Sequence, residues 1–173
     1  MDIVFAINTC RLMLKPYGVK RGINIIVENI SSIIDELSKL NSRVGLIVFS
    51  KQAYPLLDLT DKTNLVKETL NNLNVFGPYS DPVNAIKEAI YMFLEYWDEY
   101  STKYIIIVPE VEVHRIRELE YIINVAKLFN IKVVNVILLT TSSRALSRIM
   151  SLQTKGVIIV KGFKELLEVL KKT

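Results

Sequence analysis

Four short stretches of the chain are apolar at almost every position: Ile3 to Ile7, Val44 to Phe49, Tyr104 to Val108 and Val133 to Leu139. A strand with one wet face alternates apolar and polar residues, because successive side chains point to opposite sides of the sheet. Ile- and Val-rich runs that do not alternate belong to strands covered on both faces, as in parallel sheets. Val157 to Val160 is a shorter run of the same kind, expected nearer an edge. No run approaches the ~20 apolar residues that span a bilayer. The mean hydropathy of +0.29 is therefore assigned to buried strands.

The intervening segments carry helical spacing. Ile23, Ile26, Ile30, Ile33, Ile34, Leu37 and Leu40 form one face of a long helix that breaks at Asn41-Ser42. Val83, Ile86, Ile90, Phe93, Leu94 and Trp97 form a second, with Asp81 placed to cap it and Pro82 at its first position. Ile116, Leu119, Ile123, Ala126 and the Leu128-Phe129 pair form a third, and Phe163, Leu166, Leu167 and Leu170 a last one after Gly162. Strands alternating with helices predict an α/β fold, a doubly wound sheet with helices on both faces. The run Tyr54 to Leu59 follows Val44 to Ser50 too soon for a crossover helix. That pair is expected to be an antiparallel hairpin at the sheet edge, where Pro55 is tolerated. No internal repeat or linker interrupts the pattern, so a single domain over residues 1–173 is expected.

Composition removes several chemistries. The single cysteine, Cys10, has no internal disulfide partner, and the single histidine, His114, leaves no Cys/His zinc spacing. The net charge of +4 raises nucleic-acid binding as one reading. Against it, the basic residues are scattered as Lys20-Arg21, Arg115 and Arg117, Arg144 and Arg148, and Lys171-Lys172, with acidic residues interleaved. The first residues include Asp2 and no basic segment ahead of the apolar run, so a cytoplasmic location is expected. The Ile-, Lys- and Glu-rich composition leans toward a thermophile.

Open sheets of this class bind ligands beyond the carboxyl ends of their strands, where strand order reverses. Three polar or turn-forming segments are expected there: Asn8-Thr9-Cys10, Gly77 to Asp81, and Pro109 to Glu112. The plainer reading of Asn8 and Ser80 is that they satisfy backbone groups at element ends. That of Cys10 is a small buried hydrophobe, and that of Glu110 and Glu112 is solvated loop charge. The enzymatic alternative makes Cys10 a nucleophile, which requires an exposed thiol with a base in reach, or makes Glu110 and Glu112 an acid/base pair. His114, Arg115 and Arg117 are candidates for a phosphate at a helix N-terminus, though without a glycine-rich loop. Tyr17, Tyr54 and Tyr79 are expected in loops or edges. Tyr91, Tyr96, Trp97 and Tyr100 are expected to pack the far end of the second helix, an exposed patch being the alternative.

These stretches together resemble a von Willebrand factor A domain over nearly the whole chain. The resemblance is carried by DIVFAINTC, LSKLNSRVGLIVFSKQAYPLLDLT, VFGPYSDPVNAIKEAI, KYIIIVPEVE and KVVNVILL. It implies a three-layer, Rossmann-like α/β/α sheet with strand order 3-2-1-4-5-6. Many such domains hold a divalent cation at a metal-ion-dependent adhesion site, through a D-x-S-x-S motif after the first strand, a Thr before the third helix and an Asp after the fourth strand. Mapped by motif, Ala6 stands at the Asp, Asn8 and Cys10 at the two Ser, Ser80 at the Thr and Glu110 at the last Asp. Ala6 brings no carboxylate and Cys10 offers a soft sulfur to a hard ion, so the resemblance implies a degenerate site without magnesium or another cofactor.

The function expected from the resemblance is intracellular protein–protein interaction rather than catalysis, as a subunit or adaptor of a larger complex. An AAA-type ATPase is the partner class that it suggests. The expected binding surface comprises Asn8, Thr9, Cys10, the Arg11 to Lys20 loop, Tyr79, Ser80, Asp81, Glu110 and Glu112.

Overall fold

The computed structural model describes residues 1–108, 115–138, 147 and 150–172. Along the chain run β1 (Asp2–Asn8), β2 (Pro16–Tyr17), β3 (Lys20–Arg21), α1 (Gly22–Lys39), β4 (Arg43–Phe49) and β5 (Ala53–Thr60). They are followed by α2 (Thr63–Asn71), α3 (Pro82–Glu95), β6 (Lys103–Val108), α4 (Ile116–Leu128), β7 (Ile131–Ile137), β8 (Ile158–Lys161) and α5 (Phe163–Lys171). Six strands form one sheet in the order β5-β4-β1-β6-β7-β8. Counted along that sheet alone the order is 3-2-1-4-5-6, as the resemblance implies. All neighbours are parallel except β5, which runs antiparallel to β4 at the edge with Pro55 opposite Ile47.

The absence of alternation in the strands has a direct cause. Ile3, Phe5 and Ile7 of β1 face a core with Ile26, Ile30 and Leu37 of α1 and Leu166 and Leu170 of α5. Val4 and Ala6 face the opposite core, with Ala85, Ile86 and Phe93 of α3 and Leu119 and Ile123 of α4. Each face of the sheet is therefore covered at its centre, and β1, β4 and β6 are buried on both faces almost throughout. The helices stop where the sequence supplies a residue for the left-handed region: Asn41 after α1 has φ 50°, and Asn130 after α4 has φ 54°. α3 starts as expected, with Asp81 Oδ1 accepting from the Val83 N–H at 3.1 Å and Pro82 at the first position.

Two expectations are corrected. α3 ends at Glu95, so Trp97 does not extend its apolar face. Trp97 instead lies edge-on to Phe129, with ring centroids 6.2 Å apart, and under the ammonium of Lys103 at 4.1 Å. Tyr91 and Tyr100 are exposed rather than packed at the helix end. Tyr96 is half-buried, and its hydroxyl donates to Asp58 Oδ2 at 3.1 Å, a bond that with burial holds its pKa above the usual tyrosine range.

One buried group stands out energetically. Asn135 in β7 is fully buried between Ile107 and Ile159 on the neighbouring strands, and neither amide atom has a hydrogen-bond partner among the described residues. An unsatisfied buried amide costs about 1–3 kcal/mol, so Asn135→Leu, which keeps the branched outline and removes the polar atoms, is expected to raise stability by about 1 kcal/mol. Urea unfolding of the two proteins checks this. A destabilised variant would show that the amide is satisfied in solution.

Candidate functional site

Strand order reverses at β1, with β4 on one side and β6 on the other. The carboxyl end of β1 therefore opens into the crevice where ligands of such sheets bind. Short polar links hold this end together. Asn8 Oδ1 accepts from the Cys10 N–H at 3.1 Å. The Thr9 N–H and hydroxyl both donate to the Phe49 carbonyl, at 2.8 and 3.2 Å. The Phe76 N–H donates to the Thr9 carbonyl, the Arg11 N–H to that of Gly77, and the Asp81 N–H to that of Ser50. The Asn84 amide closes the set on the Lys51 carbonyl at 3.0 Å. The ends of β1 and β4 and the segment leading into α3 are thus one hydrogen-bonded unit.

This arrangement corrects part of the expected surface. Asn8, Thr9 and Cys10 are 3%, 0% and 0% exposed; Thr9 joins β1 to β4 and to Phe76, and Asn8 satisfies the Cys10 N–H locally. They shape the site from beneath and do not present side chains to a partner. A nucleophilic Cys10 required exposure, and the thiol is fully buried. Glu110, Glu112 and His114 lie outside the described residues, as do Arg144 and Arg148.

Ala6 is also reassigned. It sits within β1, paired in register with Ile47 and Ile107, and its methyl group belongs to the core under α3. The strand ends two residues later, at Asn8. A D-x-S-x-S motif counted from the strand's end therefore falls on Asn8, Cys10 and Leu12 rather than on Ala6, Asn8 and Cys10. The change from Ile7 to Asn8 marks this boundary in the sequence.

Two kinds of group reach solvent at this end. Tyr79, Ser80, Asp81, Lys51 and Arg115 line a cavity of about 310 Å³ at the start of α3. Asp81 Oδ2 forms an ion pair with the Arg115 guanidinium, which also pairs with Glu118 on its own helix. Beside this cavity, Arg11–Leu14 forms a single 3-10 turn, and β2 and β3 form a small antiparallel ladder. That excursion leaves Leu12, Leu14 and Val19 exposed by 47%, 45% and 101%. Lys51 and Arg115 were not legible as members of the site. Lys51 lies two residues past the end of β4, a position equivalent to Cys10 after β1, and that was the available signal. Arg115 comes from a distant segment and joins the site only through the fold.

No curated protein sequence matches the chain. Solved structures resemble it at low identity. An aerotolerance-related membrane protein from Bacteroides fragilis superposes with a TM-score of 0.77 at 16% identity, over 92% of this chain and 90% of that one. The conserved hypothetical protein BatB from Bacteroides thetaiotaomicron gives 0.77 at 18%, over 99% and 95%. The SpRpn10 VWA domain gives 0.73 at 14%, over 92% and 86%. At these identities the likeness concerns the fold. The sequence itself matches the family model of the von Willebrand factor type A domain over residues 2–172. With that match spanning the six-stranded sheet and the helices on both of its faces, the chain belongs to the von Willebrand factor type A domain family.

Proposed function

We propose that this chain is a protein-interaction domain that receives its partner on the loop and cavity at the carboxyl end of β1, without a divalent metal, as a subunit or adaptor of a larger complex. The observation that carries the proposal is the exposure of Leu12, Leu14 and Val19 on one short loop, next to Tyr79 and the Lys51–Arg115 cavity. Exposed apolar side chains gathered on one surface mark interaction sites, and Tyr and Arg, which stand beside them here, are enriched in interfaces. An AAA-type ATPase is the partner class proposed, on the family resemblance alone.

The donor set supports the metal-free reading. Magnesium takes hard oxygen ligands in near-octahedral geometry. Of the positions counted from the end of β1, Asn8 already uses its carbonyl oxygen on the Cys10 N–H, Cys10 is a buried thiol and Leu12 is a hydrocarbon. Asp81, a carboxylate of the segment bonded to the end of β4, has one oxygen on the Val83 N–H and the other on a guanidinium. A cationic side chain thus already occupies one oxygen of the Asp81 carboxylate.

Capture of binding proteins from the native organism, with identification by mass spectrometry, tests the proposal. The wild-type chain is expected to enrich a defined partner. A Leu12→Ser, Tyr79→Ala, Lys51→Glu variant, changed only at exposed positions, is expected to lose it while keeping its melting temperature. Undiminished capture by that variant would remove this surface from the account.

A further inference from the structure

The groove between α3 and α4 lies on the flank of the molecule, beyond the surface proposed above. It encloses about 580 Å³ over an apolar floor of Val83, Ile90, Ile122 and Val125. Tyr91 and Tyr121 stand on its walls, 53% and 70% exposed. Neither tyrosine is needed to close the core, since the residues inward of them, Ile86, Ala89, Phe93, Leu119 and Ile123, are already buried.

The charges of the groove are unequal. Its acid, Glu118, shares the Arg115 guanidinium with Asp81. Its two cations, Lys87 and Arg117, are exposed and make no ion pair among the described residues. The Lys87 ammonium lies 5.6 Å from the centre of the Tyr91 ring, which holds it along the groove wall.

We infer that this groove is a second docking surface, and that its occupant is an acidic amphipathic helix of a partner protein. The lining runs from Val83 to Tyr91 on α3 and from Arg117 to Val125 on α4. At 1.5 Å per residue that is roughly 12 Å, about two turns of a bound helix. Apolar side chains of such a helix at i, i+3, i+4 and i+7 reach the Val and Ile floor between the two tyrosines. Carboxylates on its flanks meet Lys87 and Arg117, which make no ion pair among the described residues. A second copy of this chain fits poorly, because a two-fold contact sets the same basic rim against itself in a chain of net charge +4. Two cations over a hydrocarbon floor also fall short of the phosphate-tracking stripe of a nucleic-acid surface.

The test is a ¹H–¹⁵N titration of the full chain with two synthetic peptides. One is an acidic amphipathic helix with Leu and Phe on one face and Glu on the other; its counterpart has Lys at every Glu. The acidic peptide is expected to give saturable shifts confined to α3 and α4, and both the Lys peptide and a Lys87→Glu, Arg117→Glu variant to bind about tenfold more weakly or not at all. Both substituted residues are exposed, so an unchanged melting temperature is the control for folding. The Leu12→Ser, Tyr79→Ala, Lys51→Glu variant is expected to bind the acidic peptide as wild type does, which separates this surface from the first. The inference is overturned by the absence of shifts, by shifts elsewhere, by equal binding of the two peptides, or by peptide-independent self-association through the groove.

Discussion

Arg43→Ala is expected to cost about 3 kcal/mol of folding stability, at the low end of the loss caused by removing one partner of a buried ion pair. Asp2 and Arg43 face each other at the first positions of β1 and β4. The Asp2 side chain is 2% exposed, and its two oxygens accept from Arg43 Nε at 2.8 Å and from a terminal guanidinium nitrogen at 2.7 Å. The same guanidinium donates to the Tyr96 carbonyl at 3.3 Å, so it also ties the sheet to the end of α3. Its pKa is held above the usual arginine range, mainly by the hydrogen bond to Asp2. Without Arg43, the carboxylate is left in the interior with neither water nor a counter-charge, and that desolvation is the larger part of the loss. Arg43 is one-third exposed, which lets some water relax around the truncated side chain and favours the lower end of the range.

For a domain of this size the loss lowers the melting temperature by roughly 6–12 °C. The Asp2→Ala, Arg43→Ala double variant is expected to recover part of it, since removing both partners strands no charge. If Arg43→Ala were to cost less than about 1 kcal/mol, the carboxylate would have to be hydrated or neutral in the folded chain.

The second large effect is expected at Gly77. It has φ +76°, in the left-handed region, and a Cβ built there falls 2.2 Å from the Ser50 hydroxyl oxygen and 2.6 Å from its Cβ. An L residue in that conformation costs about 1–2 kcal/mol, and the overlap adds more, so Gly77→Ala is expected to lose about 2–4 kcal/mol. The Gly77 carbonyl accepts the Arg11 N–H, and the Ser50 carbonyl accepts the Asp81 N–H. Relief of the clash therefore moves the segments that frame the cavity, and partner capture should fall with stability. Gly18 supplies the comparison. Its φ is +67°, yet a Cβ there meets nothing within 4 Å. Gly18→Ala should carry only the conformational cost of about 1 kcal/mol. Chemical unfolding of the two variants side by side separates the two contributions; equal losses would mean that the Ser50 contact yields without cost.

Most of the fold was legible because burial on both faces leaves a strong mark. Ile and Val at consecutive positions identified the parallel strands, and the short span between β4 and β5 allowed only a hairpin. Asp81-Pro82 and Asn41 marked a helix start and a helix stop through local chemistry alone. α2 was not legible: only Val66 and Leu70 of its residues are buried, one turn apart, too narrow a stripe to stand out. Trp97 continued the helical spacing beyond Glu95, where the chain instead turns to place the indole against Phe129 and Lys103.

The site was less legible than the fold. Asn8, Thr9 and Cys10 were correctly located at the end of β1. The burial of Cys10 and the backbone bond of Asn8 match the plainer reading of those residues, whereas the burial of Thr9 depends on backbone groups of Phe49 and Phe76 contributed by other segments. The placement of the motif's Asp at Ala6 set it inside β1, two residues before the strand's end at Asn8. The pairing of Asp81 with Arg115 joins residues 34 apart in sequence. Such long-range charge contacts leave no local pattern to read.

The central claim, a partner bound at this end of the sheet without an ion, is tested most directly by the amount of partner that the wild-type chain captures in excess EDTA compared with millimolar magnesium. Equal capture is expected in the two conditions, abolished in both by the Leu12→Ser, Tyr79→Ala, Lys51→Glu variant. Capture that is lost in EDTA and restored by magnesium would contradict the claim.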